Sequence, residues 1–445
     1  MERLLMRELI RWKEKKNRKP LIIKGARQVG KTWLMQEFGK RYFENTIYIN
    51  FENNQRMKNV FEMDYDTGRI LSALKIECGK SFEAEHTLLV FDEIQEVPRA
   101  LSALKYFCEN AKEYAIVAAG SLLGIALHEG TSFPVGKVDF LTLYPLNFTE
   151  FLMAAGQEEL SRLAEGKDYS LVNAFADKYA DMLRKYYYVG GMPEAVSVYL
   201  ETDDMQEVRQ VQQQLLLYYA NDFSKHAPRE TVPRIQMVWN SIPMQLAKEN
   251  RKFIYGLVRE GARAKDFEVA IQWLLDCGLI HKSYRIRKPG MPLISYMDMS
   301  AFKMYMLDIG LLAARGNLEA ITLLEGNAVF SEFKGALTEQ FVAQELVSSG
   351  IELYYYSAEN SSGEVDFVIQ QANKIIPVEV KAEENLQAKS LRELCRKYTL
   401  PDAVRSSMSG YRKQEWMVNV PLYMLRGYLE QERRENHMYS GTLLT

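Results

Sequence analysis

Eight consecutive residues near the amino end have the spacing of a phosphate-binding loop. They fit the pattern GxxxxGK[ST] and are Gly25, Ala26, Arg27, Gln28, Val29, Gly30, Lys31 and Thr32. Glycines let backbone N–H groups turn towards phosphate oxygens, and the helix expected to follow presents its positive end to the same anion. The pattern therefore predicts that Lys31 binds the β- and γ-phosphates of ATP and that the Thr32 hydroxyl is a ligand of Mg²⁺.

An acidic pair follows an apolar run further along the chain. Residues 88–93 read LLVFDE, which predicts a buried strand with two carboxylates at its carboxyl end. Asp92 would hold Mg²⁺ through water, and Glu93 would orient and deprotonate the attacking water, so ATP hydrolysis is expected. Such a pair is usually only a solvated strand end, so the catalytic interpretation depends on the upstream loop.

A third group of polar residues lies near the carboxyl end. Residues 364–369 and 377–381 predict two strands of a hairpin. Period-two alternation puts Asp366 on a polar face of one strand, and Glu379 and Lys381 on a polar face of the other. Two carboxylates can hold Mg²⁺, and a nearby ammonium can activate water for attack on a phosphodiester. The alternative is surface patterning, because Glu-x-Lys is common on exposed strands.

The elements that must position these motifs fall into three regions. In residues 1–154, short β-rich runs alternate with helical patterns, which predicts a parallel sheet covered on both faces. Long helical stretches dominate residues 155–328. Residues 329–445 alternate helices with strands and form a small α/β unit. We therefore expect an α/β protein of three domains.

The middle region contains a candidate winged helix at about 235–297. An amphipathic helix is expected at 266–277, followed by two short strands around a Pro-Gly turn. Basic residues flank this helix and the turn, which favours contact with a DNA backbone. The alternative is a protein-contact or ATPase lid module, since winged helices serve those roles too.

Composition limits the remaining possibilities. The 445 residues carry 56 Lys and Arg against 58 Asp and Glu, a net charge of −2, which excludes a uniformly basic nucleic-acid coat. Residues 1–31 are nevertheless basic, with eleven Lys or Arg against three Glu. Four scattered cysteines without a CxxC pair suggest neither a zinc site nor a disulfide scaffold. Without a signal peptide or membrane span, we expect a soluble, cytoplasmic protein with no membrane partner.

Several motifs together resemble a prokaryotic AAA-type ATPase domain: GARQVGKT, LLVFDEIQ, AAGSLLG and LTLYPLNFTEFL. Further motifs extend the resemblance over nearly the whole chain: YYYVGGMPEAV, GLVREGARAKDFEVAIQWLLDCGLI, KMYMLDIGLL and GALTEQFVAQEL. The family that these motifs resemble pairs the ATPase domain with a C-terminal domain of unknown function, DUF4143. The resemblance implies a P-loop NTPase sheet of the AAA or ASCE type.

The resemblance also suggests further residues around the nucleotide. Ser121, after the strand expected at 115–119, would sense the γ-phosphate. Arg27, Arg99 and Lys137 are candidates for stabilising transition-state charge, in cis or in trans. Many family members have arginine where this chain has Lys137, and a lysine keeps the charge without the bidentate fork.

The C-terminal hairpin resembles the PD-(D/E)xK nucleases, which have a restriction-endonuclease-like fold. Such nucleases often add a glutamate from a preceding helix, and Glu339 stands at the matching position. This resemblance assigns Asp366 and Glu379 to a metal site and Lys381 to catalysis.

Two functions remain open. One is Mg²⁺-dependent ATP hydrolysis coupled to the handling of DNA, with or without nuclease activity. The other is an ATP-dependent switch whose later domains bind a protein partner. A metabolic kinase is disfavoured by the Asp92-Glu93 pair and by the lack of an obvious lid for a small substrate. Homo-oligomerisation, the biological substrate and the identity of an arginine finger are left open.

Overall fold

A computed structural model describes residues 1–120, 124, 134–248, 251–324, 331–358, 363–371, 373–382 and 388–441. The chain divides into two compact units. The first contains residues 1–145 and 273–279, and the second contains residues 146–272 and 280–445. Within the described ranges, every helix is too short or too polar to cross a membrane.

A five-stranded parallel sheet forms the centre of the first unit. Its strands are β1 (Leu21–Lys24), β2 (Asn45–Asn50), β3 (Thr87–Asp92), β4 (Ala115–Ala119) and β5 (Asp139–Thr142). Their spatial order is β2-β3-β4-β1-β5. Strand β3 is buried along its whole length, as expected for a parallel strand covered on both faces. The predicted parallel P-loop sheet is therefore confirmed, and β4 separates the loop strand β1 from the acidic strand β3.

The helices of this unit in the part of the chain that the structure describes are α1 (Leu5–Glu14), α2 (Lys31–Tyr42), α3 (Gln55–Met63), α4 (Thr67–Cys78) and α5 (Pro98–Asn110). The core on one side of the sheet is aromatic. The rings of Phe51, Phe61 and Phe91 meet at centroid distances of 5.1–5.9 Å, two of the pairs edge-to-face. Aromatic pairs of this geometry add to the hydrophobic gain of burial. This packing holds one face of β3 in place. The polar residues at the carboxyl end of the strand lie on the opposite face.

Helices dominate the first part of the second unit, as predicted. They are α6 (Phe148–Ala154), α7 (Glu158–Ala164), α8 (Tyr169–Ala174), α9 (Ala176–Val189), α10 (Pro193–Thr202), α11 (Met205–His226), α12 (Val232–Leu246), α13 (Tyr255–Val258), α14 (Ala264–Asp276), α15 (Ile309–Arg315) and α16 (Ala320–Leu324). Toward the carboxyl end follow α17 (Ser331–Ser348), α18 (Lys389–Tyr398) and α19 (Leu425–Gly441). Helix α14 also supplies the first residues of the segment 273–279 that belongs to the first unit.

A buried carboxylate joins α9 to α15 and explains two of the sequence motifs. Asp308 accepts hydrogen bonds from the N–H groups of Gly191 at 2.6 Å and Leu311 at 2.9 Å. A Cβ on Gly190 would lie 2.3 Å from the same carboxylate, and one on Gly191 would lie 1.9 Å from a carbonyl oxygen. The motifs YYYVGGMPEAV and KMYMLDIGLL therefore contact each other around this carboxylate.

Two sheets complete the second unit. The strands are β6 (Ile280–Ile286), β7 (Met297–Met306), β8 (Tyr354–Ser357), β9 (Glu364–Val365), β10 (Phe367–Gln371), β11 (Lys374–Val380), β12 (Val404–Ser407), β13 (Arg412–Lys413) and β14 (Val418–Pro421). One sheet has the order β7-β6-β8-β9, and the other has the order β10-β11-β12-β14-β13. The expected small C-terminal α/β unit is thus confirmed in outline.

The hairpin of the candidate wing differs from the prediction. Its second strand, β7, begins only at Met297, after a short helical turn at Leu293–Tyr296. Strand β6 also pairs in parallel with β8, so both of its edges are used. The sequence pattern missed this pairing because its partner strand lies about seventy residues downstream. The winged helix at 235–297 remains a prediction.

A buried glutamate makes the second unit sensitive to pH. Glu345 on α17 accepts the N–H of Phe148 at the start of α6, and burial raises the pKa of this carboxyl group from 4.5 to about 7. Arg426 opposes that shift, while Glu150 and Glu430 add to it. Since the folded state favours the protonated form, the resulting stabilisation is complete below pH 4.5 and is lost as the pH rises through 7.

We predict that Glu345→Gln reduces this pH dependence. From pH 5.5 to pH 8 the wild-type chain should lose on the order of 1–3 kcal/mol of stability through this group. The glutamine keeps an acceptor for Phe148 but cannot ionise, so the variant should lose less. Thermal unfolding followed by circular dichroism at the two pH values measures the difference. Equal losses in both proteins would contradict the assignment.

Candidate functional site

The loop after β1 has a backbone that only glycine fits at two positions. Gly25 has φ 146°, and a Cβ there would lie 2.2 Å from the carbonyl oxygen of Leu143. Gly30, with φ 95°, stands immediately before the first turn of α2. Left-handed backbone at Gly30 turns the chain so that the helix starts directly at Lys31. The loop thus has the strand–loop–helix context that the motif requires.

The Lys31 ammonium lies inside the loop. It donates hydrogen bonds to the carbonyl oxygens of Gly25 at 2.8 Å and Ala26 at 2.7 Å. Burial lowers the pKa of Lys31 to about 8, while Glu93 and Asp92 oppose that shift. The group therefore remains largely protonated at neutral pH, as binding of a phosphate requires.

Asp92 is the meeting point of three segments. Its Oδ2 atom accepts hydrogen bonds from the hydroxyl of Thr32 at 2.6 Å and from that of Tyr48 at 2.9 Å. Its Oδ1 atom accepts the N–H of Glu93 at 3.1 Å. The carboxylate is only 2% exposed, so these donors compensate for lost hydration. Thr32 and Asp92 are brought together as the sequence predicts, whereas Tyr48 was not foreseen.

Glu93 stands directly after β3 on a left-handed backbone, with φ 49°. Its Oε2 atom accepts a hydrogen bond from the Gln95 side chain at 2.6 Å. A non-glycine residue in this conformation turns the chain away from the strand axis at the carboxyl edge of the sheet. The side chain is half-buried and lies near the loop lysine, consistent with the predicted position of a general base.

Arg3 is a second residue that the sequence did not single out. It is 5% exposed, and its guanidinium donates to the carbonyl oxygens of Val29 at 2.9 Å and Tyr144 at 2.5 Å. These contacts tie the phosphate-binding loop to the segment after β5. The run of charges at residues 1–31 concealed this role, because a buried arginine has no distinct sequence signal.

The candidate charge stabilisers have different positions. Lys137 precedes β5 and forms an ion pair with Glu109 at 2.8 Å. Since Asp139 pairs with the first residue of β1, Lys137 lies at the amino edge of the sheet, opposite the loop, which excludes a cis role there. Arg99 lies over the ring of Tyr65 at 4.6 Å. Ser121 lies outside the described residues.

The three polar residues predicted in the C-terminal hairpin do lie together. Strands β10 and β11 are antiparallel with Phe367 opposite Val378, which makes Asp366 and Glu379 neighbours. Asp366 Oδ2 accepts the N–H of Val380 at 2.7 Å, and Lys381 forms an ion pair with Glu379 at 2.7 Å. Asp366 itself lies between β9 and β10, where the chain passes from one sheet to the other. The single strand predicted at 364–369 is therefore wrong in this detail.

Glu339 on α17 is engaged by groups from elsewhere in the second unit. Its carboxylate accepts Lys303 at 2.9 Å and also bonds to the Tyr305 hydroxyl and the Arg251 guanidinium. Although burial favours the neutral form, Arg251 and Lys303 lower the pKa of Glu339 to about 2. Both oxygen atoms of Glu339 thus already accept donors from the chain itself.

Two cations balance this acidic cluster. Lys303 is fully buried and also contacts Glu364 at 2.7 Å, while the half-buried Arg251 lies 3.9 Å from Asp366. Burial and the neighbouring Glu339 raise the pKa of Asp366 to about 7. Among the residues that the structure describes, one oxygen of Glu379 has no hydrogen-bond partner. Across the described ranges, no group of three or more acidic, histidine or cysteine side chains is arranged to hold a metal ion.

The loop, the acidic strand and the order of the sheet give the first unit the fold of a P-loop NTPase. A family described as an AAA domain matches residues 17–152. Two further families match downstream: a domain of unknown function, DUF8612, at 180–322 and another, DUF4143, at 334–425. The resemblance to a chain with an AAA domain followed by DUF4143 is therefore confirmed.

Three solved structures are among those similar to this chain. The Walker-type ATPase PABY2304 of Pyrococcus abyssi is 15% identical, covers 70% of this chain and 94% of its own, and has a TM-score of 0.44. AMPPCP-bound DnaA from Aquifex aeolicus is 12% identical over 61% and 86%, with a TM-score of 0.26. Cdc6p from Pyrobaculum aerophilum is 12% identical over 73% and 95%, with a TM-score of 0.25. No curated protein matches the chain.

We predict that Lys31→Ala weakens ATP binding by about ten- to hundred-fold, because a charge-assisted contact to phosphate is lost. Equilibrium binding of a fluorescent ATP analogue measures the change. Lys40→Ala is the matched control, since Lys40 is exposed near the end of the same helix. Unchanged affinity in Lys31→Ala would show that the loop is not the nucleotide site.

Proposed function

We propose that this protein couples Mg²⁺-dependent ATP hydrolysis to the handling of nucleic acid. The proposal of Mg²⁺-dependent ATP hydrolysis rests on the hydrogen bond of 2.6 Å between Thr32 and Asp92. It joins the start of α2 to the end of β3 across the intervening strand β4. A hydroxyl and a carboxylate held side by side are the oxygen donors that suit Mg²⁺ beside bound phosphates.

Each residue of this site has a distinct task in the proposal. Thr32 would hold Mg²⁺ directly and Asp92 would hold it through water, and bound Mg²⁺ would neutralise charge on the phosphates. Lys31 binds the phosphate oxygens. Glu93 accepts the proton of the attacking water, and the positive end of α2 stabilises the charge that develops.

Glu93→Gln should retain ATP binding and lose turnover by about 10²- to 10⁴-fold, because glutamine keeps the shape but cannot accept a proton. Phosphate release and analogue binding are measured in parallel on the same preparation. Glu96→Gln is the control, since Glu96 is exposed only three residues away. Wild-type turnover in Glu93→Gln would assign the base to another residue.

Two features support the nucleic-acid part of the proposal. The hairpin joins Asp366 to Glu379 and Lys381, the residue types of the PD-(D/E)xK nucleases. Helix α18 also buries its leucines and exposes four basic side chains, Lys389, Arg392, Arg396 and Lys397, with Glu393 among them. An exposed excess of cations on a helix suits contact with a phosphodiester backbone.

The second candidate is an ATP-dependent switch that binds a protein partner. The contacts of Glu339 favour it, because Lys303, Tyr305 and Arg251 already occupy that carboxylate. A metal ion would have to rely on Asp366 and Glu379 alone. In this alternative, the nuclease-like fold serves as a binding surface without cleavage.

Paired assays separate the two functions. ATP hydrolysis is measured with and without DNA, and DNA integrity is measured with and without ATP and Mg²⁺. If the domain cleaves, Asp366→Asn should abolish cleavage, while Asp402→Asn, in the same domain, should not. If the protein neither binds nor cleaves nucleic acid at low salt, the first function is overturned and the switch is favoured.

A further inference from the structure

We propose that Tyr48 is a positioning residue of the ATPase site, which holds Asp92 in the orientation needed for Mg²⁺ and so sets the affinity for Mg²⁺-ATP. This inference rests on the proposed role of Asp92 and extends it to a residue on a different strand. Tyr48 belongs to none of the motifs that mark the nucleotide site.

The position of Tyr48 follows from the strand register. Strands β2 and β3 are parallel, with Tyr48 opposite Val90 and Asn50 opposite Asp92. Because side chains alternate along a strand, Tyr48 and Asn50 share one face of β2. The long phenol side chain reaches the carboxyl edge of the neighbouring strand, and its hydroxyl donates to Asp92 Oδ2 at 2.9 Å.

Asp92 Oδ2 receives two hydroxyl donors, from Thr32 and from Tyr48. If the Thr32 oxygen held Mg²⁺ through a lone pair, its O–H could still donate to Asp92, so the two hydroxyls together would fix the carboxylate. Tyr48 would not itself hold the metal, and its hydroxyl orients a carboxylate that is only 2% exposed.

The chemistry of the phenol suits this task. Burial, together with the nearby Asp92, raises the pKa of Tyr48 to about 12, so the hydroxyl stays protonated at any physiological pH. Asn50 contacts the same hydroxyl at 3.5 Å from the side chain two residues along the strand. Asn50, Tyr48 and Asp92 therefore form a short chain of polar contacts that ends at the proposed metal position. Partners of this kind orient the groups that hold a metal and tune its affinity.

The test is Tyr48→Phe, which removes the hydroxyl and keeps the ring. Binding of a fluorescent ATP analogue is measured with Mg²⁺ and again with EDTA. We expect about ten-fold weaker binding in Mg²⁺ and unchanged binding in EDTA, because the hydroxyl acts only through the carboxylate that faces the metal. Tyr106→Phe is the control: Tyr106 stacks on Tyr65 in the same unit, and its ring contact survives the change.

The results for Tyr48→Phe and Asp92→Asn decide the matter. Wild-type affinity of Tyr48→Phe in Mg²⁺ overturns the proposal. An equal loss with Mg²⁺ and with EDTA also overturns it, since that pattern reports a structural role in the sheet. Asp92→Asn, measured in parallel, separates this proposal from the proposed function. If Asp92→Asn loses Mg²⁺ dependence and Tyr48→Phe does not, only the role of Tyr48 fails. If Asp92→Asn has no effect, the metal position itself is wrong and both proposals fall.

Discussion

The arrangement of the ATPase site depends on one buried carboxylate, that of Asp92. A charge with so little access to water is tolerated only when hydrogen-bond donors replace its hydration. The donors come from Thr32, from Tyr48 and from the backbone of Glu93. Because the parallel strands end at one edge, residues far apart in sequence can satisfy a single side chain. The burial of Asp92 therefore requires these polar contacts, and the order of the sheet makes them possible.

The second unit meets the same constraint with cations. Glu339 is buried and the neighbouring Glu364 and Asp366 are half-buried, and the chain places Lys303 and Arg251 among them. Removing one partner of such a buried pair typically costs about 3–5 kcal/mol, because the other charge is left without compensation. These contacts hold Arg251 and Lys303 of β7 against α17. The carboxylate oxygens that form these stabilising ion pairs are thus the same atoms that a metal ion would need.

The sequence predicted what depends on local pattern. Continuous apolar runs, the GxxxxGK[ST] spacing and the acidic pair were enough for the parallel sheet and for the contact between Thr32 and Asp92. Tyr48, Arg3 and Arg251 were missed because their partners lie between 26 and 141 residues away. Lys303 was missed too, because a lysine within an apolar strand does not identify its partner. The break of the strand at Asp366 was missed because alternation looks the same whether or not a chain changes sheets.

The pairing of β6 has a consequence for how this chain can be divided. Strand β6 lies before the boundary expected at residue 328, and its partner β8 lies after it. Cutting the chain at that boundary would leave an open strand edge on the upstream fragment, which invites association with other chains. The downstream fragment would retain Glu339 without Lys303 and Arg251. DUF8612 and DUF4143 are thus separate as sequence families although one strand pair joins residues of both, and fragments cut at that boundary are expected to lose this pairing.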